Sequence, residues 1–251
     1  KLVQDKIEQL QLVERAIQDT SKVIEEEHSV NWSQMLKLIH LTGMEKSMKN
    51  QYQNASNISA RIQLHNKYST NTQGWFPWIF DQCHMEEHST VLEIGCGDGS
   101  LWLENKEKIP KQLHVVLSDI SEGMHRDTRR AIHANVKTSR FDFQVFDCER
   151  IPYPDNSFDL IIANHILFYC KNLTSVFEEI SRVLKTGGTF VCSTYGSTHM
   201  KEINELVSEF DDRIVLSADR LFERFGKENG ADLLAPYFQN IKWLSYEDSL
   251  H

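Results

Sequence analysis

Val91-Leu92-Glu93-Ile94-Gly95-Cys96-Gly97-Asp98-Gly99-Ser100-Leu101-Trp102 decides the fold. A short apolar strand runs straight into three glycines spaced by single residues, and then into a helical pattern. Glycine lets the chain turn sharply and lets a ligand approach the main chain closely. The helix that follows is expected to offer unpaired N–H groups to anionic parts of a ligand. Alone, such a loop also reads as a plain strand-to-helix turn. Glu93 tips the balance, because an acid two residues before the first glycine is wasteful in a purely structural strand.

Beyond the loop, short runs rich in Val, Ile and Phe alternate with helical stretches. The expected strands are Val91–Ile94, Leu113–Ser118, Asp142–Phe146, Leu160–Asn164, Thr189–Thr194 and Ile241–Tyr246, with helices such as Leu173–Leu184 and Met200–Phe210 between them. Strands alternating with helices imply parallel strands joined by right-handed crossovers, an α/β doubly wound, mostly parallel sheet. Residues 1–65 differ. They lack strand-like alternation and proline, and Leu2, Ile7, Leu10, Val13, Ile17 and Ile24 recur at helical spacing. Asn31 or Ser33 is placed to cap a second helix, and a third is expected around Ile58–His65. The chain therefore divides into an N-terminal helical extension, 1–65, and an α/β domain, 66–251. The extension could serve as a lid, a dimer surface or a platform for a partner.

Two more acids fall at expected strand ends. Asp119 follows Leu113–Ser118, where a carboxylate can accept from both hydroxyls of a ribose. Asp147 follows Phe146, where it could accept from an adenine amino group while the Cys148 N–H donates to the ring. Taken singly, each is an ordinary cap or turn residue. Three acids at three successive strand ends form a pattern, since open α/β sheets bind ligands at the carboxyl ends of their strands.

Composition narrows the classes. The 251 residues carry 27 Lys plus Arg against 36 Asp plus Glu, a net charge of −9, which disfavours a nucleic-acid partner gripped over a broad face. Cys83, Cys96, Cys148, Cys170 and Cys192 are scattered and contain no C-x-x-C pair, which argues against a disulfide framework and fits a reducing, cytoplasmic location. No apolar run has the length of a membrane span. His84-Met85-Glu86-Glu87-His88 spaces two histidines like metal ligands on a helix, but the order is not H-E-x-x-H and no metal is expected.

These residues resemble the class I S-adenosylmethionine-dependent methyltransferases, and in particular the broad group that includes the ubiquinone/menaquinone-biosynthesis methyltransferases. The glycine loop resembles that group's first motif almost letter for letter. Ile151-Pro152-Tyr153-Pro154-Asp155-Asn156-Ser157-Phe158-Asp159-Leu160-Ile161 is similar to its "lP-f-p-d-n-s-F-D" stretch. Glu179-Ile180-Ser181-Arg182-Val183-Leu184-Lys185-Thr186-Gly187-Gly188 is similar to its "E-i-x-R-v-L-k-p-G-G" stretch, with Thr186 in place of the usual proline. The resemblance covers roughly residues 68–250, and it implies a Rossmann-like domain that takes S-adenosyl-L-methionine and leaves S-adenosyl-L-homocysteine. It implies that Glu93, Gly95, Cys96, Gly97 and Gly99 surround the methionine part and that Asp119 holds the ribose. It places Ile120 and Met124 beside the adenine, Asp147 and Cys148 at its edge, Asn164 near the amino group, and Tyr68 as a cover. Similar proteins often continue past this point, so the stop at His251 is read as a truncation or a disordered tail, and Lys1 is not expected to be the natural first residue. The NAD fingerprint, G-x-G-x-x-G, fits less well because Ser100 follows the third glycine.

Methyl transfer from a sulfonium mainly requires alignment of nucleophile, carbon and sulfur. A general base is needed only where the nucleophile carries a high-pKa proton. His165, just beyond the fourth strand, is the catalytic candidate, although a histidine there can equally pack near the cofactor. Tyr169 and Tyr195 are candidates to line the acceptor pocket. The expected acceptor is a small molecule. RNA or protein methylation is the alternative enzyme, and a non-catalytic S-adenosylmethionine-binding regulator is the alternative class. The oligomeric state is left open by the sequence.

Overall fold

Five of the apolar runs pair into one sheet: β1 (Thr90–Ile94), β2 (His114–Ser118), β3 (Arg140–Gln144), β4 (Phe158–Asn164) and β5 (Leu184–Ser193). The computed structural model describes residues 65, 67–137, 139–199, 201, 202, 205, 209 and 220–249. All pairings are parallel and the order is β3-β2-β1-β4-β5. The chain winds outward from β1 to β3, then returns to the other side of β1 with β4. The crevice where the winding reverses lies between β1 and β4, and the glycine loop leaves β1 there.

Burial explains why the inner strands β1, β2 and β4 read as nearly continuous apolar runs. Both faces of a parallel sheet are covered, so both sets of alternating side chains are apolar. Val91, Val115, Leu117, Leu160 and Ile162 point into one core with Ile79 and Phe80 of α1 (Trp75–Gln82), Leu101 and Trp102 of α2 (Ser100–Leu103) and Ile132 of α3 (Glu122–Asn135). Leu92, Ile94, Val116, Ile161 and Ala163 point into the opposite core with Val176, Phe177, Ile180 and Val183 of α4 (Leu173–Val183). Phe225 and Leu234, beside the short helices α5 (Leu221–Arg224) and α6 (Gly230–Leu234), complete that second core. Caps start the two longer helices as the sequence allows. The Ser121 side chain accepts from Met124 N–H, and that of Asn172 accepts from Ser175 N–H.

Two ionic groups stitch the β4 side together. Asp159 accepts from the Thr90 N–H at 2.8 Å and from Lys185 Nζ at 2.8 and 2.9 Å, joining β1, β4 and β5 at their starts. Arg182 uses its whole fork. Its Nε and one terminal nitrogen bind the Glu179 carboxylate, and the remaining N–H groups reach the Tyr153 carbonyl, the Asp155 carboxylate and the Ile151 carbonyl, all within 2.9 Å. Glu179 in turn accepts from the Ile151 N–H. The loop Ile151–Ser157 is thereby moulded onto α4, so the motif residues Glu179 and Arg182 are structural here.

The expected elements shift in four places. β3 ends at Gln144, two residues before the expected end, and Asp147 lies in the loop beyond it. The helix after the glycine loop is a single turn, because the Asn105 amide donates to the Leu101 and Phe76 carbonyls and closes it. Lys185–Gly188, left between the expected helix and the expected strand, belongs to β5, which enters the sheet through a register irregularity opposite Phe158/Leu160. Ile241–Tyr246 joins no strand of the sheet. Ile241, Trp243 and Leu244 stay exposed, so the apolar residues of this stretch record neither burial nor a strand edge alongside. Of the expected helix Met200–Phe210, Lys201, Glu202, Glu205 and Glu209 are helical and the rest lies outside the described residues. The extension 1–65 also lies outside them, apart from His65.

Candidate cofactor and acceptor site

The glycine loop is held by main-chain bonds before any ligand is considered. The Gly95 and Cys96 N–H groups both donate to the Ser118 carbonyl, at 2.8 and 2.9 Å, tying the loop to the tip of β2. Asp119 closes the circuit. One carboxylate oxygen accepts from the Gly97 N–H at 3.2 Å and the other from the Ser121 N–H at 2.8 Å. Thr128 of α3 donates its hydroxyl to the Gly97 carbonyl. Two of the glycines are required by shape. Gly95 sits at φ +72°, where a Cβ would lie 2.4 Å from Ile166 Cγ2, and Gly99 at φ +80°, where it would lie 2.8 Å from Thr128 Cγ2.

Glu93 is 2% exposed and accepts from Trp102 Nε1 at 2.6 Å. Burial pushes its carboxyl up to about 8 against the pull of that indole N–H, and Asp98 and Asp119 push the same way. The folded pKa lies above the ordinary 4.5, so between those values the native state binds the extra proton. Its contribution to stability is therefore full below pH 4.5 and lost as pH rises through 8. The expected slope is on the order of 1 kcal/mol per pH unit. Glu93→Gln is expected to flatten that window in urea titrations. Parallel wild-type and variant curves would show that Glu93 ionises normally. Asp119 is also raised by burial, with the Ser121 and Gly97 N–H groups opposing. The Cys96 thiol is buried and held well above its usual range by the same desolvation.

Past β2, on the same side of the crevice as the glycine loop, Ile120 is 71% exposed beside Asp119 and offers a bare apolar face. Met124, expected beside it, is 1% exposed and packed inside, so only its neighbour presents surface. Asp147 is exposed and accepts from the Glu149 N–H at 3.0 Å. Cys148 is half-buried, with its sulfur 3.5 Å from that of Cys170.

Beyond β4, four residues form a closed circuit. The His165 N–H donates to Ser193 Oγ at 2.9 Å, and the Ser193 hydroxyl donates to Asn164 Oδ1 at 2.7 Å. Asn164 Oδ1 also accepts from Trp75 Nε1 at 3.2 Å, and the Trp75 ring lies 4.9 Å from that of His165. The circuit holds His165 at φ 54°, a left-handed conformation. Burial, with His199 and His65 nearby, pushes its imidazole down to about 4. Phe168 links His165 to Tyr169 and Tyr195, with ring centroids 6.2, 4.6 and 5.1 Å apart.

Residues 246–249 clasp the entry segment. Asp248 Oδ1 accepts from the Ser69 hydroxyl at 2.7 Å and from the Thr70 and Asn71 N–H groups at 3.1 and 3.2 Å. Tyr246 packs against Trp75 and Trp78 at 5.2 and 5.3 Å. Tyr68 is 40% exposed at this clasp. Ser193, Trp75, Tyr246 and Asp248 were not singled out as site residues by the sequence. Their distant partners leave no local signal in the sequence. His84 and His88 lie in a loop, both at positive φ, so the helical face they would share is not formed.

Residues 92–192 match a family described as a methyltransferase domain. Among curated proteins, the chain is 30% identical over 135 residues to a malonyl-[acyl-carrier protein] O-methyltransferase of Nitrosospira multiformis, covering 49% of this chain and 44% of that one. It is 30% identical to a demethylmenaquinone methyltransferase of Symbiobacterium thermophilum, covering 47% of each. It is 29% identical to a ubiquinone/menaquinone biosynthesis C-methyltransferase of Geobacter sulfurreducens, covering 56% and 55%. The chain thus spans about half the length of the curated relatives it matches. Its fold is shared with a SAM-dependent methyltransferase from Aquifex aeolicus, at TM-score 0.54 and 15% identity, covering 73% and 87%. A Haemonchus contortus phosphoethanolamine N-methyltransferase solved with S-adenosyl-L-methionine gives TM-score 0.54 at 21% identity, covering 74% and 42%. With the glycine loop at the sheet's reversal point and this match around it, residues 92–192 form a methyltransferase domain of the S-adenosylmethionine-dependent class, similar to the ubiquinone/menaquinone methyltransferase group.

Proposed function

We propose that the chain transfers a methyl group from S-adenosylmethionine to a small-molecule acceptor by in-line displacement. The observation that carries this reading is Asp119, whose carboxylate locks the glycine loop through Gly97 and stands beside the exposed Ile120. The two oxygens of the Asp119 carboxylate fit the two hydroxyls of a ribose as acceptors. Ile120 fits the apolar face of an adenine, and Asp147 with the Cys148 N–H fits its edge. Gly95, Cys96, Gly97 and Gly99 would run beside the methionine part, with Glu93 as a buried acid close to its positive charge and Tyr68 above. Both lone pairs of Asn164 Oδ1 are taken by Trp75 and Ser193, so Asn164 would offer its amide N–H to a carboxylate rather than its oxygen to an ammonium.

When bound, S-adenosylmethionine supplies a methyl group already on a good leaving group. The chain's work is to align the acceptor and keep water out. An imidazole pushed down to about 4 is a weak base at neutral pH, so His165 acts as a neutral wall beside the acceptor rather than as its base. Tyr169 and Tyr195 extend that wall. The names of the relatives, which include a demethylmenaquinone methyltransferase, favour a small-molecule acceptor, as does the net charge of −9. The Trp75 ring over His165 favours one competing reading, a regulator that binds the cofactor without turning it over.

Calorimetric titration with S-adenosylmethionine and S-adenosylhomocysteine, with NAD as control, tests the cofactor. Micromolar binding of the first two is expected. Asp119→Ala should weaken it by about a hundredfold, from the loss of two hydrogen bonds to a charged group. A folded protein that binds neither would overturn the proposal. Binding without S-adenosylhomocysteine formation across a broad acceptor panel would favour the regulator.

A further inference from the structure

Five cysteines without a spacing motif give no reason to pair any two. The fold brings two of them together. Cys148 follows β3 and Cys170 ends the short 3-10 helix Leu167–Tyr169 after β4, and their sulfurs lie 3.5 Å apart. In the sheet, β3 and β4 are separated by β2 and β1. The thiol contact therefore reaches across the edge at which the glycine loop sits. Both residues are free thiols, half-buried against the same core.

We propose that Cys148 and Cys170 are a reversible redox pair, a dithiol that a small disulfide oxidant converts to an intramolecular disulfide across the cofactor edge. The chemistry needs two exchanges. A thiolate of the pair attacks the oxidant, forming a mixed disulfide and expelling one small thiol. The second thiolate then attacks the protein sulfur of the mixed disulfide, forming the internal S–S bond and expelling the other small thiol. The protein loses two hydrogens and two electrons, and the oxidant is reduced to two thiols. Proximity favours the second step, because the resolving sulfur is already in contact.

The environment sets the rate. The hydrogen bond shared with Cys170 and burial hold the Cys148 thiol far above its ordinary range, and Asp147 and Glu149 add to this. Thiolate is scarce at neutral pH, so the pair oxidises slowly there and faster in alkali. The geometry sets the consequence. A disulfide requires the sulfurs to close by roughly 1.5 Å. The Cys170 thiol contacts the Ile166 carbonyl at 3.7 Å, and Ile166 packs directly on Gly95. Closure therefore pulls on the glycine loop from one side and on the Cys148 main chain from the other. This effect on binding rests on the cofactor reading above, whereas formation of the bond does not.

The test uses the full chain with excess oxidised glutathione at alkaline pH, followed by alkylation and peptide mapping without reduction. The expected product is a peptide pair joined through Cys148 and Cys170, about 2 Da lighter than the two thiols. Cys170→Ser should leave Cys148 unable to close the bond. Calorimetry should show S-adenosylmethionine affinity falling about tenfold or more on oxidation and returning with dithiothreitol. Two cysteines that both stay open to alkylation would overturn the pair. A disulfide that forms without changing affinity would overturn its link to the site. If the reduced protein binds no S-adenosylmethionine, the cofactor reading fails, and the cross-link still decides the pair.

Discussion

Gly95→Ala is expected to abolish S-adenosylmethionine binding and to lower stability by about 2–5 kcal/mol. The residue sits at φ +72°, where any Cβ is strained, and the new methyl would lie 2.4 Å from Ile166 Cγ2 and 3.2 Å from Ile166 Cβ. The loop cannot yield easily, since Gly95 and Cys96 both donate to the Ser118 carbonyl. Ile166 cannot yield easily either, since it lies between His165, held by Ser193, and the buried Leu167. Urea denaturation reads the stability term and calorimetry the binding term. Adding Ile166→Ala should recover part of the stability, the part due to the clash, while the φ term persists. No recovery in the double variant would mean that backbone strain alone carries the effect.

Arg182→Ala is expected to cost about 3 kcal/mol, or some 6–12 °C in melting temperature. All five guanidinium N–H groups are used, on the Glu179 and Asp155 carboxylates and the Ile151 and Tyr153 carbonyls. Removing the fork leaves the two carbonyls and the Glu179 carboxylate without their partner. Lysine cannot replace a planar fork, so Arg182→Lys should lose nearly as much. Differential scanning calorimetry of the two variants decides the point. A lysine variant that melts like wild type would show that charge, not geometry, holds the Ile151–Ser157 loop.

Together these substitutions separate two kinds of sequence motif within one chain. The glycine loop lies at the edge proposed to hold the cofactor. The Glu179–Arg182 pair serves the architecture, by fixing the loop that leads into β4, whose far end carries Asn164 and His165. A motif resemblance alone does not distinguish them, because both are read as letters at a spacing.

The amino-acid sequence by itself determined the parallel α/β sheet, the loop after β1 and the acid after β2. These are local properties. Apolar runs buried on both faces, glycines at a turn and an acid at a strand tip each declare themselves within a few residues. Tertiary structure decided what depends on distant partners. It ended β3 at Gln144 and left Asp147 in a loop, and it used Ile241–Tyr246 to bring Tyr246 onto Trp75 rather than to extend the sheet. It joined Ser193 to His165, Asp248 to residues 69–71, and Cys148 to Cys170. Those contacts link strand ends and loops brought together only when the sheet closes, and no periodicity in the sequence encodes which loop will meet which.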